Sequence, residues 1–190
     1  MTDLFFINEP FDQINYTKSK LPAGEYELCR FTGCDFTRSD LSNNVFYDCD
    51  FIDCQLSGVK LTKTALRDVR FRNCKAEGLH FEHCNDFLFA VSFDTCVLTK
   101  SSFYKQKIKH TTFKKSILHE VDFMGADLTG AEFDDCDLRR AAFEHTILEK
   151  ADFRTAYNYS LDPELNRLAK AKFSLSGVAG LLVKYDIAID

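Results

Sequence analysis

The chain of 190 residues has no Trp, only three Pro and only eight Gly. Whatever turns it makes must therefore be built largely from other residues. No stretch approaches the ~18 to 20 consecutive apolar residues that a membrane-spanning helix requires, so no membrane association is expected. Residues 1–11 carry no basic segment and only a short apolar run from Leu4 to Ile7. They do not read as a signal peptide, and a cytoplasmic location is expected. Charge of one sign is also scarce: 24 basic against 29 acidic residues leave a net charge of −5, which opposes non-specific nucleic-acid binding. No Gly-rich phosphate loop, HExxH, Cys-x-x-Cys or nucleophile elbow is present. The apolar content of 45% is nevertheless that of a folded domain.

What the chain has is a period of five. Phe or Leu recurs at Phe31, Phe36, Leu41, Phe46, Phe51, Leu56, Leu61, Leu66, Phe71 and Phe81, with Tyr26 before them and Ala76 between the last two. After a two-residue slip near 82–87 the register resumes at Leu88 and runs through Phe93, Leu98 and Phe103 to Phe153. Positions 26–81 and 88–153 together hold 26 such places. Five residues are no helical period, because five steps of about 100° smear the apolar side chains around the axis. In a strand an odd step would alternate faces. The pattern instead suits a chain that turns a corner every five residues and points one large side chain inward from each side. Phe at 93, 103, 113, 123, 133, 143 and 153, with Leu or Ile between, implies four sides per coil, so that residues 20 apart stack.

The residue two before each large one is small, and all eight Cys fall at this place, Cys84 if the first register runs on past Phe81: Cys29, Cys34, Cys49, Cys54, Cys74, Cys84, Cys96 and Cys136. Cys34, Cys54 and Cys74 lie 20 apart, so a metal or redox cluster has to be weighed against packing. Parallel stacked thiols do not converge as tetrahedral ligands must, and a buried free Cys behaves as a small hydrophobe. Packing is the expected role, with no metal and no cofactor. Asp35, Asp40, Asp50, Asp122, Asp127, Asp137 and Asp152 directly precede a large residue, where a short carboxylate can hydrogen-bond its own turn. His80, His83, His110, His119 and His145 fall at outward positions on separate units. No catalytic constellation emerges, and the chain does not read as an enzyme.

The units Ala126-Asp-Leu-Thr-Gly130, Ala131-Glu-Phe-Asp-Asp135 and Ala151-Asp-Phe-Arg-Thr155 closely resemble the pentapeptide-repeat motif, alanine, aspartate or asparagine, leucine or phenylalanine, then two variable residues. The resemblance implies an all-β fold, a right-handed quadrilateral β-helix. It divides a single domain into an N-terminal cap (1–24), a solenoid (25–157) and a C-terminal cap and dimerisation segment (158–190). Qnr-like quinolone-resistance members of that family are dimeric rods that resemble duplex DNA and bind DNA gyrase or topoisomerase IV. The resemblance thus implies a DNA-mimicking topoisomerase modulator that gives fluoroquinolone tolerance. The alternative is a scaffold that binds an unrelated cellular protein.

Glu132, Asp134, Asp135 and Asp152 are the candidate partner-binding acids, although Lys114, Lys115 and Arg154 share their side. Asp162-Pro163-Glu164 reads as a helix start. Beyond it, Phe173, Leu175, Val178, Leu181 and Leu182 form an apolar run, and Tyr185, Ile187 and Ile189 alternate as in a half-buried strand. By resemblance this tail is a homodimerisation module; the other reading is an intrachain cap.

Overall fold

The computed structural model describes residues 4–188, and over most of them one large inward side chain per five residues organises a parallel β-solenoid. Eleven short strands form in chain order: β1 (Leu4–Ile7), β2 (Pro10–Asp12), β3 (Gly24–Glu27), β4 (Arg30–Thr32), β5 (Val45–Tyr47) and β6 (Asp50–Ile52). They continue with β7 (Ala65–Arg67), β8 (Val69–Arg72), β9 (Val91–Asp94), β10 (Thr112–Lys114) and β11 (Glu132–Asp134). The first side of the rod is the parallel sheet β1-β3-β5-β7. The second is the seven-stranded sheet β2-β4-β6-β8-β9-β10-β11. The third and fourth sides are held by single parallel bridges, such as Gln55↔Lys75 and Ser102↔Asp122.

Stacking follows the 20-residue step. On the second side nine rings superpose, from Phe11 through Phe31, Phe51, Phe71, Phe93, Phe113, Phe133 and Phe153 to Phe173, with centroids 4.6–5.4 Å apart. Phe103, Phe123 and Phe143 of the fourth side meet them edge-on across the core, as in Phe103–Phe113 at 5.9 Å and 85°. Edge-to-face contact is the geometry aromatic quadrupoles favour. The all-Phe and all-Leu/Ile columns read from the sequence are therefore present.

The corners explain how so few glycines suffice. The residue two beyond most inward large ones adopts a left-handed conformation, and most such residues are not Gly: Arg38 (φ 56°), Lys100 (φ 61°) and His110 (φ 57°) among them. This conformation costs an L-residue roughly 1–2 kcal/mol. Most of these corners offset the cost by donating their N–H to the next coil, as Lys100 does to His119 O and Lys105 to Met124 O, both at 2.9 Å.

Four sequence expectations are corrected. Residues from Leu4 onward are not a cap: β1 pairs with β3, Phe6 stacks on Tyr26 at 4.7 Å, and Tyr16 stacks on Phe36 at 4.6 Å. At the register slip Leu88 points outward, 65% exposed, while Phe89 is buried edge-on to Phe81 at 6.4 Å. The left-handed corner falls at Leu88 (φ 57°), and the step on the second side lengthens to 22 residues, pairing Phe71 with Phe93.

No α-helix starts at Asp162. Its carboxylate caps a single turn by accepting the Glu164 N–H at 2.9 Å, and the coil then resumes, with Arg167 bridging Ile147 and Lys172 bridging Asp152. Asn166, which donates to Phe143 O at 2.6 Å, anchors the turn inward. Finally, the strand expected around Tyr185 is two 3-10 helices, Val178–Leu181 and Val183–Tyr185. Their chain returns over the last coil, where Leu161 N–H donates to Gly180 O at 2.9 Å. A Cβ on Gly180 would lie 2.5 Å from Tyr159 O, so only glycine permits this approach. Ile189 lies outside the described residues.

Candidate interaction surface

The aspartates preceding inward residues build corners rather than chemistry. Asp35, Asp40, Asp122, Asp127, Asp137 and Asp152 each accept the backbone N–H two residues on, at 2.8–3.2 Å. Asp50 departs from this expectation. It lies in strand β6, and its carboxylate takes Arg70 Nε at 2.7 Å and Arg72 at 3.4 Å, while Asp48 takes the other arm of Arg70 at 2.7 Å.

The acidic residues singled out from the sequence do come together on the second side. Glu132 and Asp134 flank Phe133 on β11, Asp135 forms the adjoining corner (φ 53°), and Asp152 sits one coil on, bridged to Glu132. Glu132, Asp134 and Asp152 line an open groove of about 620 Å³ together with Thr112, Lys114, Arg154 and Thr155. Thr155 ties two of them down, its hydroxyl donating to Asp134 Oδ1 at 3.1 Å and accepting the Asp135 N–H at 3.0 Å.

The groove is not a continuous negative stripe. Asp152 is neutralised by Arg154 at 2.7 Å and Lys172 at 3.3 Å; the bond with Arg154, chiefly, holds its carboxyl down to about 2. Register places Arg72 beside Asp94, Asp94 beside Lys114, and Lys114 beside Asp134, and Arg154 continues the row. Charge therefore alternates coil by coil along this side. Oppositely charged neighbours on a sheet attract only modestly when solvated, but they cancel the long-range field that a phosphate-like array would project.

Sequence reasoning missed the first side. There Phe5 and Ile7 (67% and 59% exposed), Tyr47 and Phe87 project outward. The signal was present in Phe5-Phe6-Ile7 and Val45-Phe46-Tyr47, where apolar residues flank an inward aromatic at places the repeat leaves polar. At the C-terminal end the dimerisation candidates divide. Phe173 stacks on Phe153 at 5.3 Å and Leu181 packs on the core, so both serve the chain's own closure. Leu182 is half-buried, whereas Leu175, Val178, Tyr185 and Ile187 are exposed, Leu175 by 94%.

The family model described as pentapeptide repeat region matches residues 25–85 and 87–157, most of the chain. The chain belongs to the pentapeptide-repeat family. Among solved structures, this pentapeptide-repeat rod is similar to a trypsin-treated variant of QnrB1, a plasmid-mediated fluoroquinolone resistance protein. The identity is 19%, all of both chains is covered and the TM-score is 0.51. Full-length QnrB1 matches at 18% identity over 97% of this chain and 100% of its own, with a TM-score of 0.43. HetL, a pentapeptide-repeat protein involved in heterocyst differentiation regulation in the cyanobacterium Nostoc, matches at 16% identity over 92% and 86%, with a TM-score of 0.37. At these identities the likeness is one of fold. No curated protein matches.

The eight thiols of this pentapeptide-repeat protein are all buried and free. Most donate to the carbonyl of the inward aromatic one coil back, as Cys54 does to Phe31 O at 3.4 Å and Cys74 to Phe51 O at 3.3 Å. Burial, above all, pushes the Cys49 and Cys136 thiols up to about 12. Among the described residues no group of three or more His, Cys, Asp or Glu is placed to hold a metal ion, and no helix is long and apolar enough to cross a membrane. The native protein should react with a thiol reagent only on the timescale of unfolding, after which all eight groups titrate. Rapid labelling of the folded protein, or a drop in melting temperature with chelator, would contradict this packing role.

Proposed function

We propose that this rod is a non-enzymatic binding protein whose partner is a type II topoisomerase, DNA gyrase or topoisomerase IV, and that it raises fluoroquinolone tolerance. The observation that carries the reading is the end-to-end likeness of fold to QnrB1. Dimensions support it. Nine stacked rings at roughly 4.8 Å per step give a rod of about 38 Å. Two rods joined at their C-terminal ends reach about 80 Å, comparable with about 23 base pairs at about 3.4 Å each. The exposed Leu175, Val178, Tyr185 and Ile187 supply the apolar surface for that symmetric contact.

In this reading Glu132, Asp134 and Asp135 stand in for phosphates against Lys and Arg of the enzyme. At micromolar concentration the protein should sediment as a dimer. It should inhibit gyrase supercoiling or relieve its inhibition by a fluoroquinolone, the effect weakening with salt because solvated charges are screened beyond about 8 Å. Asp134→Lys with Asp135→Lys should reduce the effect severalfold. A purified dimer that neither binds nor alters gyrase or topoisomerase IV at low salt would sink the proposal. The second reading, a scaffold for an unrelated protein, is favoured by the alternating charges of the second side, which suit a mixed-charge partner better than a saddle built for duplex DNA.

A further inference from the structure

The first side carries an outward surface that neither the repeat nor the corner chemistry explains. Its strands are in register, so rows can be read across the sheet. Phe5 and Ile7 on β1 lie beside Glu25 and Glu27 on β3. Those lie beside Val45 and Tyr47 on β5, and these beside Ala65 and Arg67 on β7. Phe87, 65% exposed, follows, with Arg67 set 5.4 Å from the centre of its ring. Leu28 and Leu88, 47% and 65% exposed, mark the same edge at left-handed corners. The rows thus alternate: apolar, acidic, apolar, basic with its aromatic neighbour. At a strand spacing of roughly 4.8 Å the two apolar rows stand about 10 Å apart.

Two observations separate this face from ordinary solvated surface. Between β1 and β7 the side chains enclose a shallow groove of about 250 Å³, lined by Phe5, Ile7, Glu25, Val45, Tyr47 and Arg67 with their neighbours. Its charges are also unspent. Among the described residues Glu25 and Glu27 form no ion pair, and Arg67 forms none either. The buried Nε of Arg67 takes no hydrogen-bond partner. On the second side, by contrast, some charges are paired between neighbouring coils, as Arg70 is with Asp48 and Asp50. Exposed aromatics interleaved with unpaired charges are the marks of an interface awaiting its complement.

The geometry points to this face as a docking surface for a protein segment lying along the rod axis. That segment carries apolar side chains for the rows of β1 and β5, Lys or Arg between them to meet Glu25 and Glu27, and an acidic group over Arg67. The charge pattern selects this occupant: an acidic segment would face Glu25 and Glu27 across an apolar floor, where like charges repel strongly. The inference rests on the reading of the rod as a protein-binding module, and holds for a topoisomerase or any other protein partner.

The test is selection of a phage-displayed random-peptide library on the full chain, followed by affinity measurements with the selected peptides made synthetically. The expected winners combine aromatic or aliphatic residues with Lys or Arg. Their affinity should fall at least tenfold on Tyr47→Ser with Phe87→Ser. It should fall by a similar factor on Glu25→Lys with Glu27→Lys, which leaves the apolar rows intact, and should be unchanged on Ser57→Ala, which lies on the third side. All these positions point outward, so unchanged melting temperatures will show that the fold persists. Acidic winners, no winners, or peptides that bind the variants as well as the parent would overturn the inference. So would self-association abolished by Tyr47→Ser with Phe87→Ser, which would make the occupant a second copy of this chain. If the peptides bind as expected while gyrase activity is unaffected, the docking surface stands and only the topoisomerase assignment falls.

Discussion

Replacing Phe113 by Ala should destabilise the protein by about 3–5 kcal/mol, whereas Thr112→Ala next to it should cost under about 0.5 kcal/mol. Phe113 is fully buried, stacks on Phe93 at 5.4 Å and Phe133 at 5.1 Å, and meets Phe103 and Phe123 edge-on at 5.9 and 5.8 Å. Its loss removes both the burial and the four ring contacts. The cavity cannot close, because the neighbouring coils are fixed in height by their ladder of backbone hydrogen bonds. Denaturant melts of the two variants measure the contrast. Equal costs at the two positions would refute the inward register on which the whole architecture depends.

The second large effect is expected at Asn44, a polar residue in the position mostly given to Cys, Ala, Ser, Thr or Val. It is buried, its Oδ1 accepting the Gly24 N–H at 2.9 Å and its Nδ2 donating to Leu41 O at 3.2 Å. Asn44→Leu strands the Gly24 N–H in the core, while Leu41 O keeps the Thr64 hydroxyl and the backbone N–H of residue 44, so a loss of about 1–3 kcal/mol is expected. Thr64→Val, one coil on, removes only the Thr64 hydroxyl bond to Leu41 O at 2.9 Å and should cost about 1 kcal/mol. Calorimetry or denaturant melts of both variants will rank them. An Asn44→Leu variant as stable as the parent would show that the side-chain amide is replaceable by relaxation of the first coil. Gly24 leaves little room for that, since a Cβ there would lie 2.3 Å from Leu4 O.

Gln106 and Asn166 repeat the lesson of Asn44. Each occupies the inward small-residue position and donates to the carbonyl of an inward Phe, Phe81 and Phe143 respectively, at 2.8 and 2.6 Å. A five-residue pattern sorted by hydrophobicity passes over them, because their burial is satisfied only by backbone groups from another coil. Leu88 and Phe89 show the same limit at the register slip. Both are large and apolar, and which of them enters the core depends on where the corner falls.

The sequence alone determined the period, the inward register over most of the chain, the four sides and the pairing of residues 20 apart. Core volume repeats with strict spacing, and only one geometry buries one large side chain every five residues. It also located the turn-building aspartates and the acidic cluster at Glu132, Asp134 and Asp135, since position within the unit sets direction. Tertiary structure decided the rest. It made Leu4 onward a coil, continued the solenoid through Phe173 in place of a helix, placed Arg154 and Lys172 against Asp152, and assembled an unpaired apolar and charged face from residues 20 apart. Those outcomes depend on contacts between coils, and a pattern read along one strand holds no information about its neighbour's charge.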